Sequence, residues 1–205
     1  MFGIRPDERR PVWAAFAFLT TSIGSHAMLE TARDALFLSR VPAVHLPFVY
    51  IAIAIISLAL TRWEGRMMGR VSHQAALVGW SVIAGAGTLV FRLVVPAEPI
   101  GDEASIVANG ALYVLYVWSG VVIALTSVHL WSVLGESLSI TQAKRLFPVV
   151  GAGSSIGALV GSGAAAALAK VVATQELLLV SGSGFCLSAA AALLLARAAP
   201  ETARE

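Results

Sequence analysis

The chain has little charge and almost no cysteine. Only 13 % of its 205 residues are Asp, Glu, Lys or Arg and 58 % are hydrophobic, whereas soluble domains carry roughly 25 % charged residues. Too little polar surface remains to face water all round. The one cysteine, Cys186, excludes an internal disulfide; inside an apolar stretch it reads as a small packing residue. No P-loop lysine motif, zinc-ligand spacing or serine nucleophile elbow occurs, so no reacting constellation, metal or cofactor is expected and an enzyme ranks last among the readings. No basic run is interleaved with stacking aromatics, so a net charge of +2 does not suggest a nucleic acid polymer as partner. No alternation of period two suggests a barrel. Lysine is scarce beside arginine, which is compatible with a GC-rich bacterial source.

What is there is hydropathy in long runs. A bilayer-spanning helix needs roughly 20 apolar residues, and about six stretches meet that length: 12–29, 44–60, 75–95, 104–134, 149–172 and 177–196. Lipid cannot satisfy exposed backbone groups, so helices are expected. The fourth run is long enough to tilt or project beyond the membrane. Together they predict an all-α membrane protein, a single six-helix domain over 1–205. Residues 1–27 partly resemble a cleavable signal, with Arg9-Arg10, an apolar core and Ser25-His26-Ala27. Asp7 and Glu8 in the leading segment, and continuation of the apolar run toward Glu30, favour a retained first helix.

Basic residues give the orientation. Arg5, Arg9, Arg10, Arg62, Arg66, Arg70, Lys144, Arg145, Arg197 and Arg204 fall at one set of loops and termini. Arg33, Arg40, Arg92 and Lys170 fall at the other. The asymmetry predicts both termini in the cytoplasm, with the acidic segment Glu98–Glu103 outside. A bacterial cytoplasmic (inner) membrane is the expected location and the lipid bilayer the first partner.

Charge in a bilayer is costly, so polar residues inside the spans are functional hypotheses. Steps of four, four and three place Ser22, His26, Glu30 and Arg33 on one helical face, with Asp34 four residues after Glu30. Either this is an ion-pair cluster fixing a helix end, or two acids tune an arginine that binds an anionic substrate. Asn109, Tyr113 and Tyr116 form a second polar face: interfacial belt tyrosines, or a surface on which a planar ligand stacks. Thr126 and His129 lie deeper, and a lone histidine there reads first as a hydrogen-bonded core residue. Gly153, Gly157 and Gly161 recur every fourth residue in the fifth span, a small-residue face for helix packing and not a nucleotide loop, since no strand precedes it and no acid follows until Glu176. Such faces, with Gly182 and Gly184, would also let a scaffold dock a further helix.

Two segments carry a family resemblance. Glu30-Thr31-Ala32-Arg33-Asp34-Ala35-Leu36 resembles the Arg-Asp-Thr-Lys-Asp-x-Leu signature after the first helix of the nucleotide (ATP/ADP) antiporter family. Gln142-Ala143-Lys144-Arg145-Leu146-Phe147 resembles that family's Glu-Ala-Lys-Arg-Phe-Tyr stretch before the fifth helix. Arg62-Trp63-Glu64-Gly65-Arg66 through Arg70 loosely resembles the loop between the second and third helices of major-facilitator transporters. The resemblance covers about the first six helices and implies one half of a major-facilitator-like carrier. Arg33 would stand where the family has its substrate-linked lysine, Lys144 and Arg145 would attract phosphates, and Tyr113 or Tyr116 would stack a base. Gln142 stands for Glu and Glu30 for Arg. Sites of such carriers lie between two halves, so a homo-oligomer or a second membrane subunit is implied. The rival expectation is a non-transporting anchor or scaffold subunit of a larger assembly.

Overall fold

In the computed structural model the hydrophobic runs become six helices: α1 (Arg9–Leu38), α2 (Leu46–Met67), α3 (His73–Val94), α4 (Asp102–Ser137), α5 (Ile140–Leu168) and α6 (Glu176–Ala198). A 3-10 turn, Ala43–His45, leads into α2. The structure describes residues 4–6, 8–67, 71–95 and 102–198, without the side chains of 67 and 102–108. Arg70, Arg204, Asp7 and most of the acidic segment Glu98–Glu103 lie outside the described residues. Among the described residues there is no strand, and all six helices are long and apolar enough to cross a membrane.

Several helices outrun their hydropathy. The segment from Arg62 to Met67, expected as loop, is the last part of α2, and Gln142, Lys144 and Arg145 lie in the first turns of α5. Local chemistry explains the second case. Ser139 accepts the amide of Gln142 at 3.4 Å while the Gln142 side chain accepts the amide of Ser139 at 3.0 Å. This reciprocal cap starts the helix nine residues before the expected 149. Ser72 caps α3 in the simpler way, accepting from Ala75 at 3.2 Å. Hydroxyls within the spans turn back on their own helices: Thr20 to the Phe16 carbonyl, Ser25 to Thr21, Thr31 to Ala27. Their donors are therefore satisfied without water.

α1 is the central helix and α2 the peripheral one: 56 % of the most apolar stretch of α1 is buried, against 6 % for α2. The substantial helix contacts are α1 with α4, α5 and α6, α3 with α4 and α6, and α2 with α4. Exchanging α1 with α4, α2 with α5 and α3 with α6 maps this set onto itself. Side-chain pairs give the directions. Glu8 meets Arg145, so α1 and α5 start at the same end; Tyr50 with Tyr116 and Glu64 with His129 make α2 and α4 parallel. Arg33 meets Ser119 while Val12 and Phe18 share a core cluster with Leu130 and Leu134, so α1 and α4 are antiparallel. The chain thus folds as two three-helix units of opposite direction. Two apolar cores fill it, one around Leu29, Phe37, Leu115 and Phe185, the other around Val12, Phe18, Leu130 and Val150.

The Gly153, Gly157 and Gly161 face lies on α1. A Cβ at Gly153 would sit 2.7 Å from the Phe16 carbonyl oxygen, one at Gly157 2.5 Å from that of Thr20, and one at Gly161 against that of Gly24. Gly182 faces Gly85 and Leu89 of α3, and Gly184 faces Ser25 of α1. These glycines are therefore spent inside the chain, as a small-residue face for helix packing.

Candidate functional site

Among the described residues Arg33 is the most enclosed arginine or lysine, 6 % exposed. Its Nε donates to Asp34 Oδ1 at 3.1 Å, one terminal nitrogen to Glu30 Oε1 at 3.2 Å, and the other to the Ser119 hydroxyl of α4. Ser119 in turn donates to the Tyr116 carbonyl, and the guanidinium lies over the Tyr116 ring, 4.2 Å from its centroid. Helical spacing brings Glu30 to Arg33 and chain adjacency brings Asp34; only the antiparallel contact with α4 adds Ser119 and Tyr116. His26 Nε2 stands 3.4 Å from Glu30, one turn back. The side chains of Glu30 and Asp34 are each 47 % exposed while Arg33 is buried behind them. An anion reaching Arg33 must therefore displace a carboxylate. The displaced carboxylate can turn to water, and a planar guanidinium suits a phosphate or carboxylate oxygen in its place.

The tyrosines part company. Tyr116 is buried, its hydroxyl 3.1 Å from that of Tyr50, and Arg33 covers one ring face. Tyr113 is half-buried, with its hydroxyl 2.8 Å from His45 Nδ1 and its ring edge-on to Phe37. Both stand at the Arg33 end. Lys144 and Arg145 do not; α1 separates Glu8 from Arg33 by 25 residues, or about 37 Å at 1.5 Å per residue. Lys144 is exposed there, and Arg145 reaches Glu8 at 2.5 Å.

In the sequence Glu8 counts only against a cleavable signal, and nothing there marks it as a structural anchor. It is buried, accepting the Arg5 amide at 3.0 Å and the Gln142 side chain at 3.1 Å besides the Arg145 contact. The Arg5 amide foremost, then Gln142 and Arg145, hold its carboxyl below the ordinary value of 4.5. A depressed carboxyl stabilises the fold fully above its unfolded value and loses that contribution as pH falls through the folded one. The wild-type melting temperature is thus expected to drop more steeply than that of Glu8→Gln between about pH 5 and about pH 3. Parallel curves would remove this role.

A second polar cluster joins α2, α3 and α4 at the same end as Glu8. Glu64 Oε1 accepts the Trp80 indole N–H, and Oε2 lies 3.2 Å from Nε2 of His129, which is 2 % exposed. His73 Nδ1 lies 2.8 Å from Glu136 Oε1, with its ring centroid 6.0 Å from that of His129. Nothing local marks this set in the sequence, because its members come from three helices. At the other end Arg92 pairs with Glu176 at 2.5 Å, and the Gln175 side chain donates to the Arg92 and Val95 carbonyls, closing the end of α3.

By length and composition the six helices define a multi-pass membrane protein. No family model matches the chain, and neither a curated protein nor a solved structure matches it.

Proposed function

We propose that this protein is half of a major-facilitator-like carrier that moves a nucleotide or another organic anion and is completed by a second copy or a second membrane subunit. The observation that carries the reading is the pair of oppositely directed three-helix units, the arrangement nested in each six-helix half of such carriers. Arg33 is the anion ligand, Glu30 and Asp34 are the internal anions it exchanges for the substrate, and Tyr113 offers aromatic surface beside it. Lys144 and Arg145 lie at the cytoplasmic mouth, where Lys144 attracts phosphates and Arg145 is held by Glu8. Both termini are cytoplasmic, following the arginine distribution, and the membrane is a bacterial inner membrane. The half-buried carboxylates, ill-suited to lipid, face the second half across the substrate path.

The test is labelled ATP or ADP exchange in proteoliposomes. Exchange with the wild type, reduced at least about tenfold in Arg33→Ala, is the expected result, since one bidentate charged contact in a water-poor site is worth that much. Uptake indifferent to Arg33→Ala overturns the assignment. The scaffold reading predicts no exchange and capture of a fixed heterologous partner on crosslinking in native membranes. It loses its docking motif, because the glycine faces are internal.

A further inference from the structure

From the cluster around Glu64 we infer that the Glu64–His129 pair is a proton-binding site, reached from water through Glu136 and His73. Four titratable groups from three helices form a chain, Glu136 to His73 to His129 to Glu64. The Glu136 side chain is 52 % exposed, His73 34 %, Glu64 13 % and His129 2 %. Adjacent members lie 2.8 Å apart at the outer step and 3.2 Å apart at the inner one, with two imidazoles 6.0 Å apart between them. His73 engages Glu136 through Nδ1 and His129 engages Glu64 through Nε2, so each ring keeps its other nitrogen for transfer. The remaining nitrogen of His129, Nδ1, is buried with no hydrogen-bond partner. A purely structural pair leaves such an atom as a cost; a proton acceptor uses it.

Charge explains why the pair takes up a proton. The groups facing it are Glu64 from α2, His73 from α3 and Glu136 from its own helix, while α1 contributes the apolar Phe18 and Leu19 to the neighbouring core. Among the described residues no arginine or lysine contacts Glu64. Ionised Glu64 with neutral His129 therefore places a negative charge in a largely enclosed site, met among the described residues by the Trp80 indole N–H and by His129 Nε2. One proton, taken from water onto the free His129 Nδ1 while Nε2–H donates to Glu64 Oε2, brings the pair to zero net charge.

The site lies at the opposite end of the bundle from Arg33, so it is tested apart from anion recognition. Full-length protein carrying ¹⁵N-histidine in lipid nanodiscs is titrated by NMR, with the His129 signal identified by its loss in His129→Gln. A proton-linked transition of the His129 signal is expected in the wild type. In Glu64→Gln, which keeps an oxygen acceptor for Trp80, its midpoint should fall by at least about one pH unit, a tenfold loss of proton affinity. After a pH jump, relaxation of the Trp80 fluorescence, read in a background where the other four tryptophans are phenylalanine, should slow in Glu136→Gln without losing amplitude. A His129 signal that does not titrate, or a midpoint unchanged by Glu64→Gln, overturns the inference. An unchanged relaxation rate in Glu136→Gln overturns the path.

Discussion

Gly157→Leu should destabilise the protein by about 3 kcal/mol or more, whereas Gly163→Leu, six residues along the same helix, should cost less than about 0.5 kcal/mol. The difference lies in what each side chain meets. A Cβ at 157 stands 2.5 Å from the Thr20 carbonyl oxygen and 3.0 Å from its Cα, both backbone atoms; one at 163 has no heavy atom within 4 Å. A flexible side chain would swing aside, but the α1 backbone cannot, because α1 is held on its other sides by α4 and α6. Relief requires α5 to move off α1 along its length, and the contacts at Gly153 and Gly161 go with it. In a bilayer the hydrophobic effect does not drive two helices together, so close van der Waals approach is much of what holds this seam. Gly163→Ala is a useful companion: at an open site it should be neutral or raise stability by up to about 1 kcal/mol, because alanine is the better helix former. Denaturant titration in a fixed lipid or detergent environment checks the order. Equal stability of Gly157→Leu and Gly163→Leu would show that the α1–α5 seam does not carry the fold.

That seam was legible in the sequence because its cause is local: three glycines one helical turn apart, inside an apolar run, leave one face without side chains. The Glu30, Arg33 and His26 cluster was legible for the same reason, helical spacing within α1. Hydropathy located all six helices but misplaced their ends, since charge ends an apolar run without ending a helix. Arg62–Met67 continues α2 as helix, and Ser139 with Gln142 begins α5. The partners across helices were not legible. Tyr113 and Tyr116 sit three residues apart on one face, yet the first meets His45 and the second Arg33. His129 looked like a solitary core histidine because Glu64 lies 65 positions away, and Glu8 and Arg145 are 137 apart. Such pairings depend on which helices adjoin, which one sequence does not state.

Arg33 should prove irreplaceable by lysine. Arg33→Met is expected to cost about 1–3 kcal/mol: losing the cation from a buried pair costs more in a sealed interior, and here Glu30 and Asp34 are half-exposed and turn to water. Arg33→Lys keeps the charge but should still lose about 1 kcal/mol, because three nitrogens now bond three different groups. An ammonium on a flexible stem cannot hold Asp34, Glu30 and Ser119 together with the Tyr116 face. Function should separate further than stability. On the proposed reading, an anion displacing Glu30 and Asp34 gains two parallel hydrogen bonds from a guanidinium and a single point contact from an ammonium. Exchange by Arg33→Lys is therefore expected to show KM raised about tenfold, a loss of about 1.4 kcal/mol in substrate binding. If Arg33→Lys matches the wild type in both stability and KM, the planar fork has no role and the cluster is only a charge near the end of α1. If stability falls while KM holds, Arg33 joins α1 to α4 and the anion is recognised elsewhere.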